Sequence, residues 1–134
     1  MDYREGWHNR ARYTVVDAHY GDGAAIRVLT DVWRTDPQRS PNLHVIALCD
    51  HLLPGFHRMP QAEPGMTLDL LSAPLEDALA QLTARVDMFR LHDIEHAGTG
   101  FARHVARVAA RDARLLAHGL TPAQVAALAA QGFV

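Results

Sequence analysis

Short runs of apolar residues recur along the chain and alternate with stretches in which apolar residues repeat at helical spacing. The runs are rich in leucine or β-branched residues and end in polar or glycine-containing segments, a pattern typical of buried strands. We predict five strands on this basis: Tyr13–Ala18, Leu43–Leu48, Met66–Leu71, Val86–Leu91 and Ala113–Ala117.

Helical spacing fills most of the intervals between these runs. We predict helices at Ala24–Arg34, Leu75–Thr83 and Phe101–Ala110, and a last helix that Thr121 caps and that continues through Ala130. Strands that alternate with helices form crossover units and a mostly parallel sheet. The pattern therefore predicts a Rossmann-like α/β fold of about five strands in the order 3-2-1-4-5.

The connection between the second and third strands does not fit this pattern well. Residues 51–65 contain three prolines and two glycines, whereas a parallel crossover usually needs a dozen or more residues that are mostly helical. Either a short helix forms around Leu52–Met59, or the third strand runs antiparallel. We read residues 1–12 as an amino-terminal arm and residues 13–134 as a single domain.

Composition narrows the class of protein. Apolar residues make up 49% of the 134 residues, as in ordinary globular domains, and no apolar run approaches the roughly 20 residues that span a bilayer. Cys49 is the single cysteine and no signal peptide is evident, so we expect a cytoplasmic protein. The net charge of −2 gives no general attraction to nucleic acid or anionic lipid, and we expect neither DNA nor a membrane as a partner.

A glycine-containing loop follows the first predicted strand. Gly21 and Gly23 allow a tight turn and a close approach to a ligand, and ligands of parallel sheets bind beyond the carboxyl ends of the strands. A plain tight turn explains two glycines equally well. The position between an apolar strand and an amphipathic helix favours a nucleotide-type cofactor site.

Several segments resemble one family, the tRNA wobble-uridine methylaminomethyl methyltransferases of the MnmC/MnmD type. Val16–Ile26 (Val-Asp-Ala-His-Tyr-Gly-Asp-Gly-Ala-Ala-Ile) is similar to the family's loop, an acidic residue followed by x-Gly-Phe-Gly-x-Gly-Leu-Asn-Phe. Leu52–Arg58 (Leu-Leu-Pro-Gly-Phe-His-Arg) is the most specific match. Leu43–His51 and Val86–Leu91 resemble two of the family's strands, and the similarity covers roughly residues 13–134 with gaps.

The resemblance implies a class I methyltransferase-type sheet, S-adenosylmethionine as the cofactor and tRNA as a partner. It also implies a set of site residues. Asp93 is the catalytic candidate, and the cofactor-binding candidates are Asp17, His19, Gly21, Gly23, Cys49, Asp50 and His92. We assign no residue to a metal site.

The chain departs from the family where chemistry is expected. His19 replaces the first loop glycine, and Cys49 stands where the family has the acidic residue that grips the cofactor ribose. His92 likewise stands at an acidic position, while Asp50 and Asp93 lie one residue later. The Asn-Pro-x-x-Trp stretch and the last strands of the family are missing. We therefore expect a truncated, diverged methyltransferase-like protein that binds S-adenosylmethionine weakly or not at all.

Two alternatives remain open. The first is a non-catalytic oligomeric or binding module on the same fold. The fifth strand would be an exposed sheet edge, so we expect a homodimer or higher oligomer that protects this edge or the last helix, with its Val125 and Leu128. The second is a small metal-binding protein that uses histidines at the ends of the strands: His19, His51, His92, His96 and His118.

One basic surface also has two readings. Arg103, Arg107 and Arg111 are four residues apart and would share one helical face, which could contact RNA phosphates. A solvated face with local ion pairs explains the same spacing.

Overall fold

The computed structural model describes residues 4–133 and contains a six-stranded sheet with helices on both faces. The helices are α1 (Arg4–Trp7), α2 (Ala24–Thr35), α3 (Leu75–Gln81), α4 (Phe101–Val108) and α5 (Pro122–Ala130). The strands are β1 (Arg12–Asp17), β2 (Asn42–Leu48), β3 (Gly55–Met59), β4 (Met66–Ser72), β5 (Val86–His92) and β6 (Ala109–His118). No helix in this part of the chain has the length and apolar character needed to cross a bilayer.

The strand order is β3-β4-β2-β1-β5-β6, and every neighbouring pair is parallel except β3 with β4. The five strands expected from the sequence are β1, β2, β4, β5 and β6, and their predicted order is confirmed. The Rossmann-like α/β class is confirmed with it.

The additional strand β3 corrects both readings of the second connection. No helix forms around Leu52–Met59, and the third predicted strand, β4, runs parallel to β2. Instead, residues 49–54 cross the carboxyl end of β4, and β3 then returns antiparallel to it, from Gly55 opposite Ser72 to Met59 opposite Leu68. This strand carries the chain back to the start of β4, so no crossover helix is needed.

The carboxyl-terminal part also differs from the expected boundaries. The helix α4 ends at Val108 rather than Ala110, and β6 begins at Ala109 rather than Ala113. Val86 of β5 pairs with Ala109, but Met88 pairs with Arg114, so β6 bulges between these two pairs. The bulge accommodates the additional residues of the strand.

The predicted arginine face is therefore wrong, because Arg111 lies in β6 and not on the helix. Arg107 donates to the carbonyl oxygens of Leu79 and Leu82 at the end of α3, at 2.9 and 3.1 Å. Arg103 pairs with Glu76 of α3 at 3.3 Å. These arginines hold α4 against α3.

Buried residues lie on both faces of the sheet. One face packs against α3, α4 and α5, and its core includes Phe89, Phe101 and Leu128. The other packs against α2 and contains Trp33 and Trp7, the latter contributed by the amino-terminal arm and fully buried. The arm is thus packed into the same core as the sheet.

A buried carboxylate fixes the arm to the end of α2. The indole Nε1 of Trp7 donates to Oδ2 of Asp36 at 2.8 Å, and His8 Nε2 lies 2.9 Å from the same oxygen. The hydrogen bond from Trp7 is the main reason that the pKa of Asp36 falls from 3.8 to about 2. The ionised carboxylate therefore stabilises the folded state.

We expect Asp36→Asn to lower the unfolding temperature at neutral pH. We also expect the free energy of unfolding of this variant to depend less on pH in the acid range. The carboxylate's contribution is complete above its unfolded pKa of 3.8 and is lost as the pH falls towards about 2, so the difference between the two proteins should disappear there. Chemical denaturation across the acid range measures this. The matched control is Asp31→Asn, which removes an exposed carboxylate paired with Arg34 on α2 and should change stability by less than about 0.5 kcal/mol. Equal acid sensitivity of wild type and Asp36→Asn would contradict the assignment.

Candidate functional site

A cavity of about 490 Å³ opens at the carboxyl ends of β1, β2, β4 and β5. Parallel strands bring these ends to one edge of the sheet, which is where α/β proteins of this topology bind ligands. The polar part of its wall consists of His19, Cys49, Asp50, Ser72, Asp93 and His96. The apolar part includes Leu48, Pro54, Ala73, Pro74 and Ile94. The cavity is large enough for a small organic ligand.

Most of the residues expected at a cofactor site meet at this cavity. His19, Gly21, Cys49, Asp50 and Asp93 line it directly. The structure thus brings together residues from three separate strand ends. Cofactor binding by these residues and a catalytic role for Asp93 stay predictions.

The other three candidates lie elsewhere. Asp17 and His92 contact each other and the cavity residues His19 and Asp93, but they do not line the cavity. Gly23 borders a separate groove of about 320 Å³ along α2, together with Tyr20 and Arg27. The second glycine of the loop is therefore turned away from the cavity.

The ends of β2 and β5 explain why Asp50 and Asp93 reach the cavity. The amide of Cys49 still donates to the carbonyl of Leu71 at 3.0 Å, and Asp50 is the first residue past that bond. Asp93 follows the last residue of β5 and adopts a left-handed conformation with φ of 56°. Asp50 and Asp93 both lie after the ends of their strands. The alternation of side chains along a strand therefore does not direct their carboxylates to the opposite face of the sheet.

Both carboxylates are accessible. The Asp50 side chain is 86% exposed and lies 3.3 Å from His51, and the Asp93 side chain is 63% exposed. The thiol residue Cys49, in contrast, is half-buried and packs against the core on the α2 side. The accessible acidic groups at this edge are therefore Asp50 and Asp93. Each lies one residue after the position at which the resembled family has its acidic residue.

Asp17 is the most constrained group near the cavity. Its side chain is fully buried and accepts hydrogen bonds from Arg90 Nη1, from His92 Nε2 at 2.8 Å and from the backbone N–H of His19 at 2.9 Å. The rings of His19 and His92 meet edge to face, with centroids 5.8 Å apart. Asp17 thus holds the loop, β1 and β5 together, and the guanidinium of Arg90 balances its negative charge.

The glycine loop has its own internal contacts. Gly21 and Gly23 have φ of 61° and 84°, which glycine adopts without strain. A Cβ on Gly23 would lie 2.6 Å from the hydroxyl of Tyr20, so that ring covers the glycine. The carboxylate of Asp22 accepts the N–H of Ala24, the first residue of α2, at 2.9 Å. The amino end of α2 is therefore partly closed by protein groups.

The sequence did not identify part of the cavity wall. Pro54 belongs to the connection that crosses β4, and Ser72, Ala73 and Pro74 belong to the turn from β4 into α3. The turn from β4 into α3 could have been placed from the sequence, because the third predicted strand ends at the same edge of the sheet as the other parallel strands. The crossing segment could not be located before β3 was known.

Histidines and acids of the described chain do not assemble into a metal centre. Within residues 4–133, no three side chains of histidine, cysteine, aspartate or glutamate come together in a way that could hold a metal ion.

The sequence is similar to proteins named tRNA 5-methylaminomethyl-2-thiouridine biosynthesis bifunctional protein MnmC. The protein from Burkholderia cenocepacia (strain HI2424) is 28% identical across 95% of this chain and 25% of its own length. The one from Azoarcus sp. (strain BH72) is 29% identical across 83% of this chain and 23% of its own. A scan against protein families found no match.

The fold is similar to that of MnmC2 from Aquifex aeolicus, with a TM-score of 0.75 and 14% sequence identity over 98% of this chain and 50% of the other. The chain spans about a quarter of the length of the MnmC proteins that it matches. The resemblance inferred from the sequence is confirmed, and the chain is a diverged relative of the MnmC-type tRNA wobble-uridine modification proteins.

Proposed function

We propose that this chain is a methyltransferase-like protein that keeps a ligand cavity at the sheet edge but has little or no methyltransferase activity on tRNA. The observation that carries the proposal is the state of Asp17. The acidic residue of the glycine loop is fully buried and bonded to Arg90 and His92. Because its oxygens already accept hydrogen bonds from the protein, we do not expect it to bind S-adenosylmethionine.

The cost of releasing Asp17 supports this view. A ligand that took over the carboxylate would leave Arg90 without its counter-ion and His92 without its hydrogen-bond acceptor, and these side chains are only 18% and 20% exposed. Breaking one partner out of a buried ion pair costs about 3–5 kcal/mol. Few contacts of a small ligand would offset that loss.

The cavity has retained groups that suit part of the cofactor. Asp50 and Asp93 present accessible carboxylates, which bind ribose hydroxyls through charge-assisted hydrogen bonds. Cys49 cannot replace a carboxylate in that role, because a thiol is a weak hydrogen-bonding group. S-adenosylmethionine also carries a carboxylate on its amino-acid group, and the described residues that line the cavity include no arginine, while the sequence contains no lysine. The residues therefore offer partners for the ribose of the cofactor but no arginine or lysine for its carboxylate.

The names of the relatives make tRNA the partner to test first, in the cytoplasm where we expect the chain to be found. A binding module on the same fold is the second candidate function. The observation that favours it is the free edge of β6, which within residues 4–133 pairs only with β5. An unpaired strand edge is a template for a second chain. We therefore also propose a homodimer.

The role of Asp17 can be tested by stability. We expect Asp17→Asn to destabilise the protein by about 3–5 kcal/mol, because it leaves the largely buried guanidinium of Arg90 without its counter-ion. Urea unfolding measures the change. Asp50→Asn, at an exposed carboxylate of the same edge, is the matched control and should change stability by less than about 0.5 kcal/mol. If both variants unfolded like the wild type, Asp17 would not be the constraint described above.

Cofactor binding is the direct test of the proposed function. Isothermal titration calorimetry of the full chain with S-adenosylmethionine should give a dissociation constant well above about 10 µM, and methyl transfer to unmodified tRNA should be undetectable. The expectation follows from the loss of charged contacts worth about 1.5–3 kcal/mol each. A dissociation constant of about 10 µM or lower, weakened by Asp50→Ala, would show a working site and refute the proposal.

Association is measured separately by light scattering at micromolar concentration, where we expect a dimer. Ala117→Glu places a charge on the exposed edge of β6, and Val125→Glu places one on α5, where Val125 is 53% exposed and Leu128 is buried in the core. Pairing through β6 predicts that only the first substitution yields monomers. Pairing through α5 predicts the reverse. A monomeric wild type would exclude both.

A further inference from the structure

We infer that a pocket at the amino edge of the sheet binds a small monocarboxylate. This amino-edge pocket has a volume of about 310 Å³ and lies where the amino-terminal arm meets β1, β5 and β6. Its described wall consists of Gly6, Arg10, Tyr13, Asp87, Asp112 and Arg114. Tyr13 and Asp87 are the second residues of their strands, whereas the cavity described above lies past the carboxyl ends. The amino-edge pocket is therefore a separate site, independent of the proposed function.

The hydroxyl of Tyr13 is buried without a hydrogen-bond partner. Tyr13 is 1% exposed, and within residues 4–133 its oxygen is the one buried side-chain polar atom that lacks a partner. An unpaired buried hydroxyl destabilises a protein, and native structures contain few of them. Because Tyr13 lines the pocket, a ligand with a hydrogen-bond acceptor would supply the partner that the protein does not.

Gly6 lies directly against this hydroxyl. A Cβ at that position would overlap the phenol oxygen, and Gly6 also lines the pocket. Gly6 belongs to α1 and does not have a positive φ, so the close approach of the ring, and not the backbone conformation, requires glycine there. The hydroxyl end of the Tyr13 ring is thus at the pocket wall, next to the arm.

The two acids of the wall are already paired within the protein. The guanidinium of Arg10 donates to Oδ1 of Asp87 at 3.0 Å and also to Oδ2 of Asp112. The other oxygen of Asp87 accepts the N–H of Thr14 at 2.8 Å. A cationic ligand would have to compete with these donors for the carboxylates, so the pocket does not favour a cation.

A proton donor and a cation line the same pocket. Burial raises the pKa of Tyr13 from 10.0 to about 12, and the positive charge of Arg114 is the largest effect that opposes this rise. The phenol therefore keeps its proton at neutral pH and lies within range of a guanidinium charge. An O–H donor beside an arginine is a combination that binds carboxylate oxygens.

The charge of this edge favours a monoanion. Two arginines and two aspartates border the amino-edge pocket. An adjoining pocket shares Arg10 and adds Arg39, with no acid among the described residues that line it. Three arginines against two aspartates leave one positive charge in excess. A carboxylate balances that charge, whereas a phosphate dianion exceeds it.

The test is a titration of the full chain at constant ionic strength, followed by NMR at the ring protons of Tyr13 and the Nε–H of Arg114. The probes are acetate, its neutral isostere acetamide and inorganic phosphate. We expect acetate to bind with a dissociation constant on the order of 1 mM, acetamide at least about tenfold more weakly, and phosphate more weakly than acetate. Acetate that gives no saturable shift, or that binds no better than acetamide or phosphate, would overturn the inference.

Tyr13→Phe tests the role of the unpaired hydroxyl. It should weaken acetate binding about tenfold, because a hydrogen bond to an ionised group is lost. Without ligand, the variant should unfold at the same urea concentration as the wild type or a higher one, since the hydroxyl has no partner to lose. Tyr20→Phe is the matched control: its hydroxyl lies over Gly23 at the other edge, and acetate binding should not change.

Arg114→Gln tests the cation and should remove the preference for acetate over acetamide. The control Arg111→Gln makes the same change at an exposed position of β6 outside the pocket, and it should alter acetate affinity by less than about twofold, because water and salt screen that charge. If Tyr13→Phe destabilises the protein and leaves acetate binding unchanged, the hydroxyl is bonded within the protein and the inference is overturned. S-adenosylmethionine binding at the opposite edge is measured separately, so either proposal can fail without the other.

Discussion

The carboxylate of Asp17 lies at the end of the central strand, inside the protein, and three groups donate hydrogen bonds to it. A buried charge is tolerated only when it is paired and hydrogen-bonded, so this one dictates the positions of its partners. Arg90 is directly opposite Asp17 in the β1–β5 pairing, and His92 follows at the end of β5. The backbone extends the same connection, since Ala18 donates to Arg90 and Tyr20 donates to Leu48 of β2. The loop, three strand ends and the cavity beside them are held in place through this group.

In the function that we propose, the same interaction explains how the fold would persist without methyl transfer. The bonds that make the loop rigid use the acidic group that a ligand would otherwise engage. Asp50 and Asp93 remain accessible only because they follow the strand ends rather than belonging to them. In the function that we propose, structural stability and ligand binding draw on different carboxylates of the same edge, so a substitution in one set need not disturb the other.

The sequence predicted most of the fold because the buried strands are continuous apolar runs. It did not predict β3, an edge strand on which no residue is fully buried and which follows Pro54. Local patterns carry little information about such a strand, since its partner, and not its own burial, defines it. The gathering of Asp50 and Asp93 at one edge follows from parallel topology alone. The pairing of Asp17 with Arg90 could not be foreseen, because it joins residues 73 positions apart and depends on the exact register of two strands.

The replacement of a crossover helix by β3 also has a kinetic consequence. Arg58 and Asp69, which pair across β3 and β4, are only 11 residues apart, so this hairpin closes a short loop. The β1–β5 pairing closes a loop several times longer, at a greater entropic cost. Contacts of low sequence separation tend to form early, and distant ones late. The hairpin side of the sheet is therefore expected to organise first, and the cavity, whose walls come from both halves of the chain, to be completed only in the last steps of folding.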